Sequence, residues 1–285
     1  MQVEHLLLIM VDGLGLPPTP LPDSVYRDCP TLRQLFDQHT VPLDATLGVS
    51  GLPQSATGQT ALLTGVNAAK LIGSHLSGFP NARLRELVQA ENIFGKLTGR
   101  NISCTFANAY VRGAEVHLPY SLQSVTTVAA TSALPQVRRR RELLAGKAVY
   151  HDLTRRWLRG KGDHSLPAID ETTAAAHLMD IVRSVDFTLF EYFLTDHVGH
   201  RGSMDDKLRV LNSLDTFLSA LWRSLNPTRE LMLLVSDHGN IEHLQDRYHS
   251  LNPVPWCAVG VREEQAREEM RTLLQVTPKI MELLA

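Results

Sequence analysis

The sequence predicts an α/β fold: a doubly wound, mostly parallel sheet sandwiched by helices. Three observations predict it. Short, nearly unbroken apolar runs recur along the chain, at Leu6–Val11, Phe187–Leu194, Leu231–Val235 and Pro255–Val259, with a fifth at Ile102–Ala107. Strands buried on both faces read as such runs, because no side chain on either face meets water. Between them lie segments with apolar residues at helical spacing, and strands alternating with helices imply a parallel sheet with crossover helices. Finally, three of the runs hand over within two residues to acidic residues, at Asp12, Asp196 and Asp237.

The helical segments are read in chain order. Residues 31–39 follow Pro30, which suits a helix start because its missing N–H has no intrahelical acceptor there. Residues 172–185 carry apolar residues at helical spacing. Residues 205–225 do so more clearly, through Leu208, Leu211, Leu214, Phe217, Leu218 and Leu221. Residues 263–284 read as two helices, or one interrupted near Pro278. The chain is expected to be a single catalytic-type domain over 1–285. Residues 109–167 are rich in Ser, Thr and Arg with poor periodicity, and are expected to form a small inserted lid or long surface excursions.

Composition narrows the function classes. With 285 residues and 44% hydrophobic content the chain can bury a sizeable core. A net charge of −2 gives no global basic field for nucleic acid, and only Arg138–Arg141 forms a local basic run. No stretch reaches the length of a membrane span. The run Leu6–Val11 is too short for a signal-peptide core and lacks a basic flank, so a cytoplasmic location is expected. Cys29, Cys104 and Cys257 are widely spaced and odd in number, which argues against a disulfide framework. Nothing in the sequence speaks to oligomeric state.

The chemistry gathers at the acidic strand tips. In open α/β sheets ligands bind outside the carboxyl ends of the strands, so Asp12, Asp196 and Asp237 can converge. His200 stands four residues after Asp196, a spacing that aims both side chains at one ion if the chain turns helical there. His238 follows Asp237, and His249 lies just before the run at Pro255. Aspartate and histidine together suit zinc, manganese or a related divalent ion. The segment GLPQSATGQTALLTG holds Ser55, Thr57 and Thr60 and leads into an apolar run; a hydroxyl at a helix N-terminus gains because that end favours anions and offers free N–H groups to phosphate oxygens.

These motifs resemble the alkaline phosphatase superfamily, and within it the branch of cofactor-independent phosphoglycerate mutases and phosphopentomutases. VDG at Asp12 looks like the first metal ligand of that family. SATGQTALLTG is similar to its nucleophile helix, TDHVGH to its D-x-x-x-H pair, SDHGN to its D-H-G-N element, and HSLNPVPW to its H-x-x-N-P-V-P segment. QVTPKIMELL resembles the closing helix. The motifs occur in the family's order. The resemblance implies two divalent ions, zinc or manganese. One would be held by Asp196, His200 and His249, the other by Asp12, Asp237, His238 and the Ser55 oxygen. Ser55 would be the nucleophile, acting on a small phosphorylated substrate.

Each motif alone has an ordinary reading as a turn, a helix cap or a surface pair. Their joint placement at strand tips and a helix start favours the metal site. His197 and His243 read as neighbours of the site or as solvated groups. His75, Lys70 and Asn108 follow the nucleophile helix and could approach substrate. Arg138–Arg141 reads first as a solvated helix face, and otherwise as a phosphate or carboxylate fork. The mutases of this branch carry a substantial cap, and the stretch between the nucleophile helix and the strand before Asp196 holds no counterpart of their Arg-rich substrate motif. The expected activity is therefore a phosphatase or phosphodiesterase, with a minimally capped mutase second and a non-catalytic metal-binding relative third.

Overall fold

The computed structural model describes residues 2–111, 122–243 and 247–285. Its centre is a six-stranded sheet built from β1 (His5–Val11), β2 (Thr40–Leu43), β3 (Cys104–Phe106), β6 (Phe187–Tyr192), β7 (Glu230–Ser236) and β8 (Val254–Gly260). The spatial order is β2-β8-β7-β1-β6-β3. A separate parallel pair joins β4 (Ala109–Tyr110) to β5 (Arg138–Arg139).

β1 lies between β7 and β6 and pairs in parallel with both, Ile9 facing Leu234 on one side and Phe190 on the other. All six residues from Leu6 to Val11 are fully buried. Leu6, Leu8 and Met10 enter one core cluster, while Leu7, Ile9 and Val11 enter the other. At about 1.5–3 kcal/mol per buried side chain, those six residues contribute roughly 9–18 kcal/mol of transfer free energy as an upper bound. Helices Ser55–Thr64, Ile93–Thr98, Val125–Ala133 and Val276–Leu283 cover the first face. Pro30–Gln38, Glu171–Val182 and Met204–Ser224 cover the second. The doubly wound, mostly parallel sheet expected from the sequence is the observed architecture.

One detail differs from the sequence reading. The run at Pro255–Val259 is not a parallel strand: β8 runs antiparallel to β7, with Val235 opposite Trp256. The connection from Asp237 to Pro253 holds no crossover helix among its described residues, so β8 returns antiparallel and its start lies at the carboxyl end of β7. The C-terminal segment forms two helices, Glu263–Arg267 and Val276–Leu283, the first of its two expected forms, and Pro278 sits in the first turn of the second, where no N–H is needed. The edge strand β2, which contains Pro42, was not legible as an apolar run.

Within 109–167, residues 112–121 lie outside the described residues. The described remainder divides between two cores. Val125, Val128, Ala129 and Ala130 join the main core, whereas Ala109, Val111, Leu143, Ala148, Tyr150, Leu158 and Leu166 form a small satellite cluster. The arginine run is half tied down: Arg139 and Arg141 are exposed, as a solvated face would be, whereas Arg138 and Arg140 are half-buried. Arg138 donates to the carbonyls of Lys147 (2.7 Å) and Phe106 (2.9 Å), and Arg140 makes a two-pronged pair with Asp163 at 2.6 and 2.7 Å. The three cysteines are free thiols. Among the described residues, no helix is long and apolar enough to cross a membrane.

Candidate metal centre

The carboxyl edge of the sheet gathers the acidic strand tips. Asp12 follows β1 and Asp237 follows β7, on neighbouring strands held in register by Val11 opposite Ser236. Beyond β6 the chain turns into helix Leu194–Arg201, so Asp196 and His200 lie one above the other. His249 precedes β8 and reaches the same edge because β8 is antiparallel. Ser55 is the first residue of helix Ser55–Thr64, whose earliest N–H groups lack intrahelical acceptors.

That helix lies unusually close to the sheet edge. A side chain on Gly58 would stand 2.7 Å from the Asp237 carbonyl oxygen, so only glycine permits the approach. Gln59 uses the proximity, its amide Nε2 donating to Asp12 Oδ2 and Asp237 Oδ2 at 3.0 Å each. The Ser55 Oγ then lies 3.0 Å from His238 Nε2.

The ligand-type side chains form two groups that share His238. Atoms of Asp12, Asp237 and His238 lie within 4.8 Å of one another, as do those of Asp196, His238 and His249. The His238 and His249 rings stack at 3.7 Å between centroids. His200 Nε2 is 2.9 Å from His249 Nε2 and 3.2 Å from Asp196 Oδ1. His249 Nε2 is 3.3 Å from the same oxygen.

Hydrogen bonding around these groups tests whether they fit a cation. His200 Nδ1 donates to the Arg247 carbonyl at 2.6 Å, and His249 Nδ1 to the Pro53 carbonyl at 2.7 Å. In their neutral forms both rings therefore aim Nε2 lone pairs at each other and at Asp196 Oδ1. Only a positive species, a proton or a metal ion, satisfies that arrangement, and a backbone carbonyl on the far nitrogen is the usual support of a metal-binding imidazole. Asp12 Oδ1 points the same way. It is buried without a hydrogen bond, since His238 Nε2 stands 3.1 Å away but is not aligned to donate to it. The donor set fits divalent cations.

The electrostatics agree. Burial, and then the Asp237 and Asp196 carboxylates, raise the Asp12 carboxyl well above its ordinary range, with His238 acting the other way. Burial opposes charge on the His238 ring, yet Asp237, Asp12 and Asp196 push its pKa up to about 10. Burial acts to raise Asp196, but the His200 and His249 imidazoles overcome it and hold that carboxyl far below the usual range. The Asp196 carboxylate in turn raises His200.

Other residues around the site were not singled out by sequence. Asn240 Nδ2 donates to Asp196 Oδ1 at 2.9 Å. Glu242, buried, accepts from the backbone N–H of Gly15 (2.9 Å) and Asn240 (2.8 Å) and from Ser250 Oγ, tying Asn240 and Ser250 to the segment that follows β1. Glu191 on β6 lines the cavity over the site, accepts from Thr126 Oγ1 at 2.8 Å, and is raised to about 7 by its burial, helped by Asp237. A glutamate inside the run FTLFEYF breaks the apolar pattern, and that was its available signal.

The lesser candidates fall into place. Asn108 clamps the β6 backbone through Nδ2 to the Glu191 carbonyl (2.7 Å) and Oδ1 from the Glu191 N–H (2.9 Å). His75 meets Thr57 Oγ1 at 3.5 Å and the Val49 carbonyl at 3.3 Å. His243 meets Asn252 at 3.1 Å. Lys70 is exposed beside Gly48, and His197 borders the cavity.

Comparison with known proteins follows the same lines. Residues 158–285 match the model of the Metalloenzyme superfamily. The chain resembles the alkaline phosphatase-like metalloenzymes, in sequence over this C-terminal part and in fold throughout. It is 30% identical over 103 residues to the 2,3-bisphosphoglycerate-independent phosphoglycerate mutase of Ehrlichia canis, covering 34% of this chain and 20% of that protein. The match thus spans about a fifth of the length of that curated relative. Among solved structures, the PH0037 protein from Pyrococcus horikoshii superposes with a TM-score of 0.62 at 15% identity, over 100% of this chain and 97% of that one. The alkaline phosphatase from the Antarctic bacterium TAB5 gives 0.55 at 10% identity, over 99% and 98%. At these identities the structural likeness shows the fold alone.

Proposed function

We propose that this chain is a two-metal-dependent phosphate-ester hydrolase acting through a phospho-serine on Ser55. The observation that carries the reading is Ser55 Oγ at a helix N-terminus, 3.0 Å from His238 Nε2, the ring shared by both ligand groups. Asp196, His200 and His249 would hold one ion; Asp12, Asp237, His238 and Ser55 would hold the other. The ions, zinc or manganese, would supply charge to offset the phosphoryl oxygens and to favour the ionised serine.

The residues of the chain do the rest. Ser55 Oγ attacks phosphorus in line, forming the O–P bond as the bond to the substrate alcohol breaks. The first N–H groups of the helix hold the equatorial oxygens. Water then cleaves the phospho-serine, returning the Ser55 hydroxyl and releasing phosphate. Gln59 and Asn240 keep the carboxylates in place through both steps. On this reading 1–285 acts as one catalytic unit, and Ser124, within 109–167, lines the cavity over the site. Water that reaches the phospho-serine favours hydrolysis over return of the phosphoryl group.

Likeness to the mutase over 103 residues supports a second reading, a mutase-type phosphotransferase. The deciding experiment combines elemental analysis with turnover of p-nitrophenyl phosphate and its bis ester. Near two ions per chain, phosphate release, and no turnover in Ser55→Ala with metal content preserved are expected. Phosphoryl migration on a phosphoglycerate without phosphate release would establish the mutase. Full activity in Ser55→Ala, or no bound metal after reconstitution, would refute the proposal.

A further inference from the structure

Helix Leu194–Arg201 presents two stripes to two different cavities. Asp196 and His200 face the metal centre, and the stripe beside them is His197 and Arg201. The cavity over the metal centre, lined by Asp12, Ser55 and Glu191 among others, has a volume of about 310 Å³. A second cavity of about 620 Å³ lies on the other side of the stripe, between the helices Arg156–Gly160 and Met204–Ser224. His197 and Arg201 line both. The larger cavity falls within the range of organic-ligand sites, and Trp157 and Val198 give it apolar wall.

Its charges are unevenly committed. Asp152 accepts from the backbone N–H of Trp157 (2.6 Å) and Leu158 (3.2 Å). Glu171 accepts from Ser213 Oγ at 2.6 Å. Asp206 caps its helix through Ser203 and pairs with Arg209 at 3.0 Å. The acidic groups are thus occupied by local structure. Arg201 and Arg156, both exposed on the cavity wall, form no ion pair with any described residue. What remains to meet a ligand is an apolar, aromatic wall with uncommitted guanidinium groups, one of them at the junction with the metal centre.

We propose that this second cavity is the leaving-group subsite, and that the substrate is a phosphate ester whose alcohol part is a bulky, partly apolar group carrying a second anionic group recognised by Arg201. The proposal rests on the hydrolase reading for the position of the phosphoryl group, and names the substrate class for it. A guanidinium suits this task because its planar fork stays charged and pairs with carboxylate or phosphate alike. A short phosphate ester would fill only the smaller cavity and leave the larger one to water.

The test separates binding from turnover. Phenyl phosphate and 4-carboxyphenyl phosphate share one ring and differ in one charge. Their dissociation constants are measured by calorimetry on zinc-loaded Ser55→Ala protein, with and without Arg201→Gln. The carboxylated ester is expected to bind at least tenfold more tightly, and Arg201→Gln is expected to remove most of that preference. Arg156→Gln, on the same cavity, is expected to reduce it less. Equal binding of the two esters, binding of neither, or a preference that survives Arg201→Gln would overturn the subsite. A preference that follows Arg201, in a protein whose wild type turns over neither ester, would uphold the subsite and refute the hydrolase reading instead.

Discussion

Gly199→Ala probes how the ligand helix is seated. In an exposed helix the change from glycine to alanine stabilises by about 0.5–1 kcal/mol, because glycine loses more backbone freedom on folding. Here the sign should reverse. Gly199 is buried between Asp196 and His200, and an added Cβ would stand 2.1 Å from Asn240 Oδ1 and 2.6 Å from Asn240 Cγ. Asn240 is fully buried, and its backbone N–H is held by Glu242, so it cannot swing into solvent. Overpacking costs about 1–3 kcal/mol. Displacing Asn240 also removes its 2.9 Å hydrogen bond to the Asp196 carboxylate, about 1.5–3 kcal/mol for a charged partner. Subtracting the helix gain leaves a net loss of about 2–5 kcal/mol. Denaturant unfolding with chelator present reads that loss, and metal titration of the same variant should show weaker binding at the Asp196 group. Gly160→Ala is the control, since nothing lies within 4 Å of its added Cβ. If Gly199→Ala proves as stable as wild type with undiminished metal affinity, the packing argument is wrong.

Three further outcomes follow from the same structure. His151 is buried between the rings of Tyr150 and Phe193, each 3.8 Å between centroids, and burial lowers its pKa to about 3. Its folded pKa lies below the unfolded value, so the stability it supports is lost as pH falls from about 6.5 towards 3; from pH 7 to pH 4.5 the loss is about 2–3 kcal/mol, and His151→Phe should abolish it in paired denaturation curves. Glu191 is the opposite case: its folded pKa of about 7 exceeds the unfolded value, so stability present below about 4.5 is lost as pH rises through 7. In chelator-treated protein Glu191→Gln should gain on wild type by up to roughly 3 kcal/mol between pH 5 and pH 8, and a constant difference across that range would count against the buried carboxylate. Adding zinc or manganese to chelator-treated protein should raise the unfolding midpoint, with a gain of about 2.7 kcal/mol in unfolding free energy at a hundredfold excess over Kd. An unchanged midpoint would mean that the converging imidazoles and carboxylates do not bind these ions.

What the sequence determined by itself is the platform. Leu6–Val11 holds no polar residue, which reads as a strand covered on both faces and puts Asp12 at its tip. The same logic places Asp237, while the four-residue interval from Asp196 to His200 needs only a helical turn to align the pair. These are local constraints, written in periodicity and in the step from apolar run to carboxylate. The tertiary structure decided how the tips meet. No local pattern says that β8 returns antiparallel, yet that reversal brings His249 to the edge where β1 and β7 end. None says that His238 stands between both ligand groups, stacked on His249, because stacking joins residues on different segments. Gly58 and Gly199 look like ordinary helical glycines until Asp237 and Asn240 are found against them. Arg201 likewise reads as a solvated arginine in sequence. Its place at the junction of two cavities depends on helices contributed by residues 156–160 and 204–224, and packing at such distances in sequence leaves no periodic trace.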